Sequence, residues 1–176
     1  MLATRPGLAR LTDWQAIWET VVYGQYNYFR ISSGWTVLDI GAGIGDFSYL
    51  ARKQGAGRVI AYECDRFCLP ALQKNAARYG FEVQAKRVVD MRPLPEADLV
   101  KIDIEGGEFD LVGFERYPRI IMEWHTPYGD INTLVDRLRQ AGHVTHLWPN
   151  RRRGDLGILA ACHPELDPQP SATASR

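Results

Sequence analysis

Three glycines at alternate positions, Gly41, Gly43 and Gly45, close the apolar run Trp35-Thr-Val-Leu-Asp-Ile40 in the stretch VLDIGAGIGDFS. A β-rich run, a glycine turn and then a helical pattern make a strand, a tight turn and a helix N-terminus, where backbone N–H groups can approach a ligand closely. Dinucleotide sites carry G-x-G-x-x-G at this place. Here the glycines run G-x-G-x-G, and the third dinucleotide position is Asp46. A carboxylate where a pyrophosphate would lie argues against NAD and FAD. It suits a cofactor with a cationic centre and an amino-acid tail, and S-adenosylmethionine is such a cofactor.

The remaining candidates sit where predicted strands end. Glu63 closes Arg58-Val-Ile-Ala-Tyr-Glu63, 22 positions after Gly41, near the spacing at which an acid grips a ribose. Asp103 and Glu105 end Asp98-Leu-Val-Lys-Ile-Asp-Ile-Glu105, and Glu123 and His125 end Arg119-Ile-Ile-Met-Glu-Trp-His125. His125 is the candidate general base, because imidazole exchanges a proton near neutral pH; Asp103 competes for that role. Glu123 is placed to hold the imidazole in one tautomer. Lys101 is costly inside an apolar strand unless paired. Alternation puts it on one face with Asp103 and Glu105, and it reads as an ion pair with Asp39 on a neighbouring strand. Arg151-Arg152-Arg153 reads as a solvated turn rather than a phosphate patch.

The elements that must position these groups follow from periodicity. Thr12-Asp-Trp-Gln15 has capping-box form, and Trp14, Ile17, Trp18, Val21 and Val22 then recur at helical spacing, so a helix over 12–23 is predicted to dock its two tryptophans in the core. Tyr23–Arg30 is dense in aromatics and serves as a flap over a ligand or as a brace for that helix. After the glycine turn, Asp46 is placed to cap a helix with Phe47, Leu50 and Ala51 on its inner face. Another helix starts near Leu69, with Pro70 in its first turn and Gly80 as its stop. Glu82–Val89 is a third strand, and Asp90-Met-Arg-Pro-Leu-Pro-Glu96 is a connection without room for a helix. Gly106-Gly107 precedes a predicted helix start. Asp130–Ala141 repeats Ile131, Leu134, Val135 and Leu138 at helical spacing, and His143–Trp148 with Leu156–Cys162 reads as an antiparallel hairpin. Alternating strands and helices give an α/β, Rossmann-like doubly wound sheet, mostly parallel, with that hairpin at its C-terminal end. Residues 1–163 read as one domain with an N-terminal helix, and 164–176 as a disordered Pro/Ser-rich tail.

Composition narrows the function classes. The chain has 176 residues, 45% apolar and 24% charged, and its 21 basic residues balance its 21 acidic ones. No global field draws it to nucleic acid or an anionic membrane. Three cysteines, Cys64, Cys68 and Cys162, are too few and too unevenly spaced for a disulfide framework or a zinc site, and no metal site is expected. Neither a signal peptide nor a membrane-spanning run is read, which makes the expected location cytoplasmic.

Taken together, VLDIGAGIGDFS, the acidic strand end in VIAYECD, the segment DLVKIDIEGGEFD and the strand IIMEWH resemble a class I S-adenosylmethionine-dependent methyltransferase, and more narrowly the FkbM-type family. The glycine loop is common to the whole class, whereas KIDIEGGE is far more specific. The resemblance implies that Asp39, Gly41, Gly43 and Gly45 lie along the methionine and ribose of the cofactor and that Glu63 accepts both ribose hydroxyls. It further implies that Asp90 contacts the adenine and that Asp103 and Glu105 end the strand beside the transferable methyl. The implied reaction is O-methylation of a hydroxyl on a sugar or natural-product-like small molecule or glycan. A nucleic-acid methyltransferase would share the cofactor half, but is expected to show Asn/Asp-Pro-Pro-aromatic or Pro-Cys after the fourth strand, where this chain has Asp103-Ile-Glu105. A non-catalytic binding module is the third reading, and the intact glycines and strand-end acids speak against it.

Overall fold

The computed structural model describes residues 1–150 and 155–168. In chain order the elements are α1 (Ala9–Ile17), which runs into a π-helical turn over Trp18–Val22, then β1 (Thr36–Ile40), α2 (Asp46–Gln54), β2 (Arg58–Glu63), α3 (Leu69–Tyr79), β3 (Glu82–Ala85), β4 (Leu99–Ile102), β5 (Arg119–His125), α4 (Ile131–Gln140), β6 (Val144–Pro149) and β7 (Leu156–Cys162). The seven strands form one sheet in the order β3-β2-β1-β4-β5-β7-β6. β1 to β5 are parallel, while β7 runs antiparallel to both β5 and β6. The strand order reverses between β1 and β4, and ligands of such sheets bind at that crevice, beyond the carboxyl ends of the strands.

Period-two alternation divides the core between the two faces of the sheet. Leu38, Ile40, Val100, Ile102, Ile120 and Met122 point to the face covered by Leu134 and Leu138 of α4. Val37, Val59, Leu99 and Ile121 point to the other, against Phe47 and Ala51 of α2 and Leu72 of α3. Asp130 caps α4 as its spacing predicts, its carboxylate accepting from the Asn132 N–H at 3.0 Å.

The structure departs from the sequence reading in five places. The N-terminal helix starts earlier, at Ala9, and faces the other way: Trp14, Trp18 and Val22 are 38%, 56% and 58% exposed, while Asp13 and Thr20 are buried. What lies beneath this helix is the polar end of the sheet. Asp13 turns inward to accept hydrogen bonds from Arg5 at 2.6 and 2.8 Å, and Thr20 bonds Asp46.

After Gly106-Gly107 no α-helix forms. Only short 3-10 turns occur, at Gly107–Phe109 and Phe114–Arg116, and Arg137 of α4 donates to the carbonyls of Phe109 and Leu111 that a helix would otherwise satisfy. The third strand ends at Ala85 rather than Val89. Residues beyond Cys162 continue in a 3-10 turn, Pro164–Leu166, and the Tyr28 hydroxyl donates to the Asp167 carboxylate at 2.6 Å. Asp46 opens α2, behind Gly45 at the N-cap, and is not itself the cap. Arg151–Arg153 and the rest of the expected tail, 169–176, lie outside the described residues.

Candidate active site

The carboxyl ends of β1, β2, β4 and β5 converge on two adjoining hollows, of about 290 and about 510 Å³, which share Gly41, Glu63, Asp65, Asp103 and Glu105 as walls. The glycine turn enters from β1. Gly41 and Ala42 both donate to the Tyr62 carbonyl at 3.0 Å, which folds the turn back onto β2. A Cβ on Gly41, whose φ is +76°, would stand 1.8 Å from the carbonyl oxygen of Asp103, so β1 and β4 meet there with no room for a side chain. Gly43, at φ +55°, has no atom within 4 Å of where a Cβ would stand. That empty space is part of the hollow. Gly45 is placed differently: it is buried against Leu72 and Phe81 and serves close packing of the turn on α3.

Glu63 is fixed from three sides. One carboxylate oxygen accepts from the Gly43 N–H at 2.7 Å, the other from the N–H groups of Cys64 and Asp65 at 2.7 Å each. A carboxylate has about four lone-pair positions, so this one keeps capacity for further donors on its open side. Beside it Tyr62, Val88 and Val89 make an apolar wall. Asp90, the expected adenine contact, is gripped at both oxygens by Arg92, whose guanidinium holds its carboxyl down at about 2. It is Val88 and Val89, not Asp90, that line the hollow.

Beneath the turn, Lys101 is buried. Its Nζ lies 3.3 Å from Asp39 Oδ1 and 3.5 Å from Asp103 Oδ2. The Asp39 contact is an ion pair whose alignment falls short of a hydrogen bond; the other Asp39 oxygen accepts from Ser48 at 2.6 Å. Burial pulls the lysine pKa down, but Asp39, Asp103 and Asp46 outweigh it and hold the ammonium raised. Asp39 and Lys101 face each other in register, as alternation predicts. Asp39 is wholly buried, so it anchors the turn from below rather than lining the hollow.

At the mouth, Asp103 from the end of β4 meets Glu123 and His125 from β5. The Tyr26 hydroxyl lies 3.1 Å from carboxylate oxygens of both Asp103 and Glu123. Burial first, and Asp103 second, push the Glu123 carboxyl up to about 7. Tyr26 is itself buried, so the aromatic stretch braces the sheet end and also reaches the site. His125 is not held by Glu123. The fully buried Glu108 accepts from the His125 backbone N–H at 2.9 Å and faces its Nδ1 at 3.1 Å, and Nε2 points to Glu105 at 3.4 Å. The bond to Glu108, more than burial offsets, raises the imidazole to about 9. The imidazole is thus held toward its protonated form, which works against a general-base role at neutral pH.

Of the residues singled out from sequence, the fold brings together Gly41, Gly43, Glu63, Asp103, Glu105, Glu123 and His125. Asp39, Gly45 and Asp90 lie off the hollow. Asp65 and Glu108 carry no role in the sequence reading, and Tyr26 enters it only as part of the aromatic stretch Tyr23–Arg30. Glu108 stands within the KIDIEGGE segment, and its buried carboxylate is the signal that pattern held.

A parallel sheet with this strand order, an antiparallel last strand and a glycine turn facing a strand-end acid define the class I methyltransferase fold. The FtsJ-like methyltransferase family model matches residues 23–139, and the chain belongs to that family. The match supports the class I methyltransferase part of the sequence resemblance and does not reach its narrower FkbM type. Among curated relatives, a ribosomal RNA small subunit methyltransferase A of Chelativorans sp. (strain BNC1) is 27% identical over 74% of this chain and 49% of its own length. A ribosomal protein L11 methyltransferase of Symbiobacterium thermophilum is 32% identical over 42% of this chain and 25% of its own length. The chain thus spans about half the length of the first relative and a quarter of the second. Among solved structures, the ribosomal protein L11 methylase of Lactobacillus delbrueckii subsp. bulgaricus superposes with a TM-score of 0.58 at 20% identity, over 92% of this chain and 81% of that one. Magnesium protoporphyrin IX methyltransferase of Synechocystis PCC 6803, solved with bound S-adenosylmethionine, gives 0.60 at 17% identity, over 88% and 81%. These likenesses carry the fold. No helix among the described residues is long and apolar enough to cross a membrane.

Proposed function

We propose that the chain transfers a methyl group from S-adenosylmethionine to an RNA acceptor. One observation carries the cofactor half: the Glu63 carboxylate, pinned by three backbone N–H groups, faces the space left open at Gly43. A hydroxyl pair fits the free side of that carboxylate, an adenine fits the Val88–Val89 wall, and Gly43 leaves room for the amino-acid end. The residues present therefore fit S-adenosylmethionine, which supplies a methyl already activated on a sulfonium.

The protein's own work is then to bind, align and accept one proton. Tyr26 and Lys101 both engage Asp103 Oδ2, and Asp103 lines the hollow. Asp103 is accordingly the proton acceptor in this reading, and His125, as an imidazolium tied to Glu108, orders the mouth beside it. The acceptor class rests on the family and on the relatives named for ribosomal RNA, and on Tyr128, an exposed ring packed beside Gly106 next to the mouth, where aromatic rings stack on unpaired bases. The FkbM-type resemblance would place the hydroxyl on a sugar or natural product instead. Three unpaired cysteines support a cytoplasmic setting.

Labelled S-adenosylmethionine offered with RNA, protein and glycan fractions of a cell extract tests the reading. Label in RNA, lost with Asp103→Asn, is expected. Label confined to protein or glycan overturns the acceptor, and no binding of the cofactor overturns the whole reading.

A further inference from the structure

Three side chains at the mouth offer ligand atoms that lie within 4.8 Å of one another: Asp103, Glu105 and His125. An ion bound at about 2.1 Å holds opposite ligands about 4.2 Å apart, so a small swing of Glu105, which is exposed, closes the set. Acids alone would say little, but this group includes an imidazole with a buried fixture behind it. Glu108 is fully buried and its oxygen takes both the backbone N–H and the Nδ1–H of His125. That commits the proton to Nδ1 and aims Nε2 into the mouth. A carboxylate that fixes the far nitrogen of an imidazole is how ligand histidines are oriented on metals. Asp103 is prepared in the same sense: Tyr26 and Lys101 engage Oδ2, and Oδ1 is left over.

We infer that Asp103, Glu105 and His125 form a binding site for one divalent transition-metal ion. Two carboxylates and one imidazole suit Mn²⁺ or its neighbours better than the all-oxygen ions Mg²⁺ and Ca²⁺. The ion replaces the proton on His125 Nε2, which passes to solvent, and its two positive charges match the two carboxylates. The inference stands apart from the methyl-transfer reading, because the ligands are in place without any cofactor. Where both hold, the ion takes the Asp103 oxygen otherwise free for the proton, so Asp103 serves as proton acceptor in the ion-free chain only.

The test uses the full chain, stripped with a chelator and without S-adenosylmethionine, titrated with Mn²⁺ while the spin resonance signal of the free ion is followed. One saturable ion per chain is expected. His125→Ala abolishes it and Glu105→Gln weakens it at least tenfold, while Glu96→Gln, a remote exposed acid, leaves it unchanged. Glu105 is exposed, so its variant folds, and thermal melts verify the others. Glu108→Gln, one step removed, should cost roughly 10- to 100-fold. Absence of saturable binding overturns the site, as does binding that Glu105→Gln and His125→Ala leave at the wild-type affinity. Because no cofactor is present, a failed methyl-transfer assay leaves this result unaffected.

Discussion

Lys101 donates a hydrogen bond of 2.7 Å to the carbonyl oxygen of Gly41. A cation inside β4 thereby fastens the glycine turn at the end of β1. The same ammonium faces Asp39 and Asp103, one below the turn and one at the mouth. The Asp103 carboxylate and the glycine turn are thus both held by one side chain.

Lys101→Met removes the cation and leaves Asp39 buried with Ser48 as its remaining partner. Breaking a buried pair in this way costs about 3–5 kcal/mol. A large fall in melting temperature is expected, and adding Asp39→Asn should recover part of it, because the wholly buried charge is then gone while Asp46 and Asp103 still lack their cation. A single variant that melts with the wild type would show that the pair contributes nothing.

Gly41→Ala and Gly43→Ala should separate folding from binding. Both positions need a left-handed backbone, which costs a residue with a Cβ about 1–2 kcal/mol. At Gly41 the Cβ also meets the Asp103 carbonyl, so that variant should express poorly or melt early. At Gly43 the Cβ enters open space in the hollow, so the variant should fold and bind S-adenosylmethionine weakly. Calorimetric titration beside a thermal melt checks both, and equal behaviour of the two variants would refute the assignment.

Glu63→Ala should lower affinity for S-adenosylmethionine and its demethylated product at least tenfold. Hydrogen bonds to a charged group are worth roughly 1.5–3 kcal/mol each. NAD should bind neither form tightly. An unchanged dissociation constant in the variant would move the ribose elsewhere.

The cysteines should titrate apart. Cys64 is exposed, while Cys68 and Cys162 are buried. Burial disfavours the thiolate and pushes Cys68 up to about 12 and Cys162 up to about 11. The thiolate fraction of both should therefore rise about tenfold per pH unit through the range where an ordinary cysteine, near about 8.5, has levelled off. A disulfide reagent at pH 8 should consume one thiol quickly and two slowly. Three equal rates would contradict the burial.

The strands and the glycine turn were legible because each obeys a local rule. Alternation put Lys101 opposite Asp39, and the fifth strand falls where its apolar run does. The N-terminal helix was misread because spacing gives the face of a helix but not what lies beneath it. Trp14 and Trp18 look like core anchors until Asp13 and Thr20 are seen turned to polar groups. The helix expected after Gly106-Gly107 failed for a related reason, since the Arg137 guanidinium, distant in sequence, satisfies the carbonyls in its place. Within the site, strand-end acids could be read from position. The partner of His125 could not: Glu123 and Glu108 were both near in sequence, and only the fold of the loop selects Glu108.

The sheet order has a consequence for how the chain assembles. β2 reaches β1 across α2, and β6 and β7 are joined by a short connection, so both pairs close early at small entropic cost. β1 reaches β4 only after α2, β2, α3 and β3 have been laid down, which makes that seam the slow, non-local step. The seam carries the Asp39–Lys101 pair and the contact of Gly41 with the Asp103 carbonyl. Closing the sheet and assembling the site thus depend on the same seam.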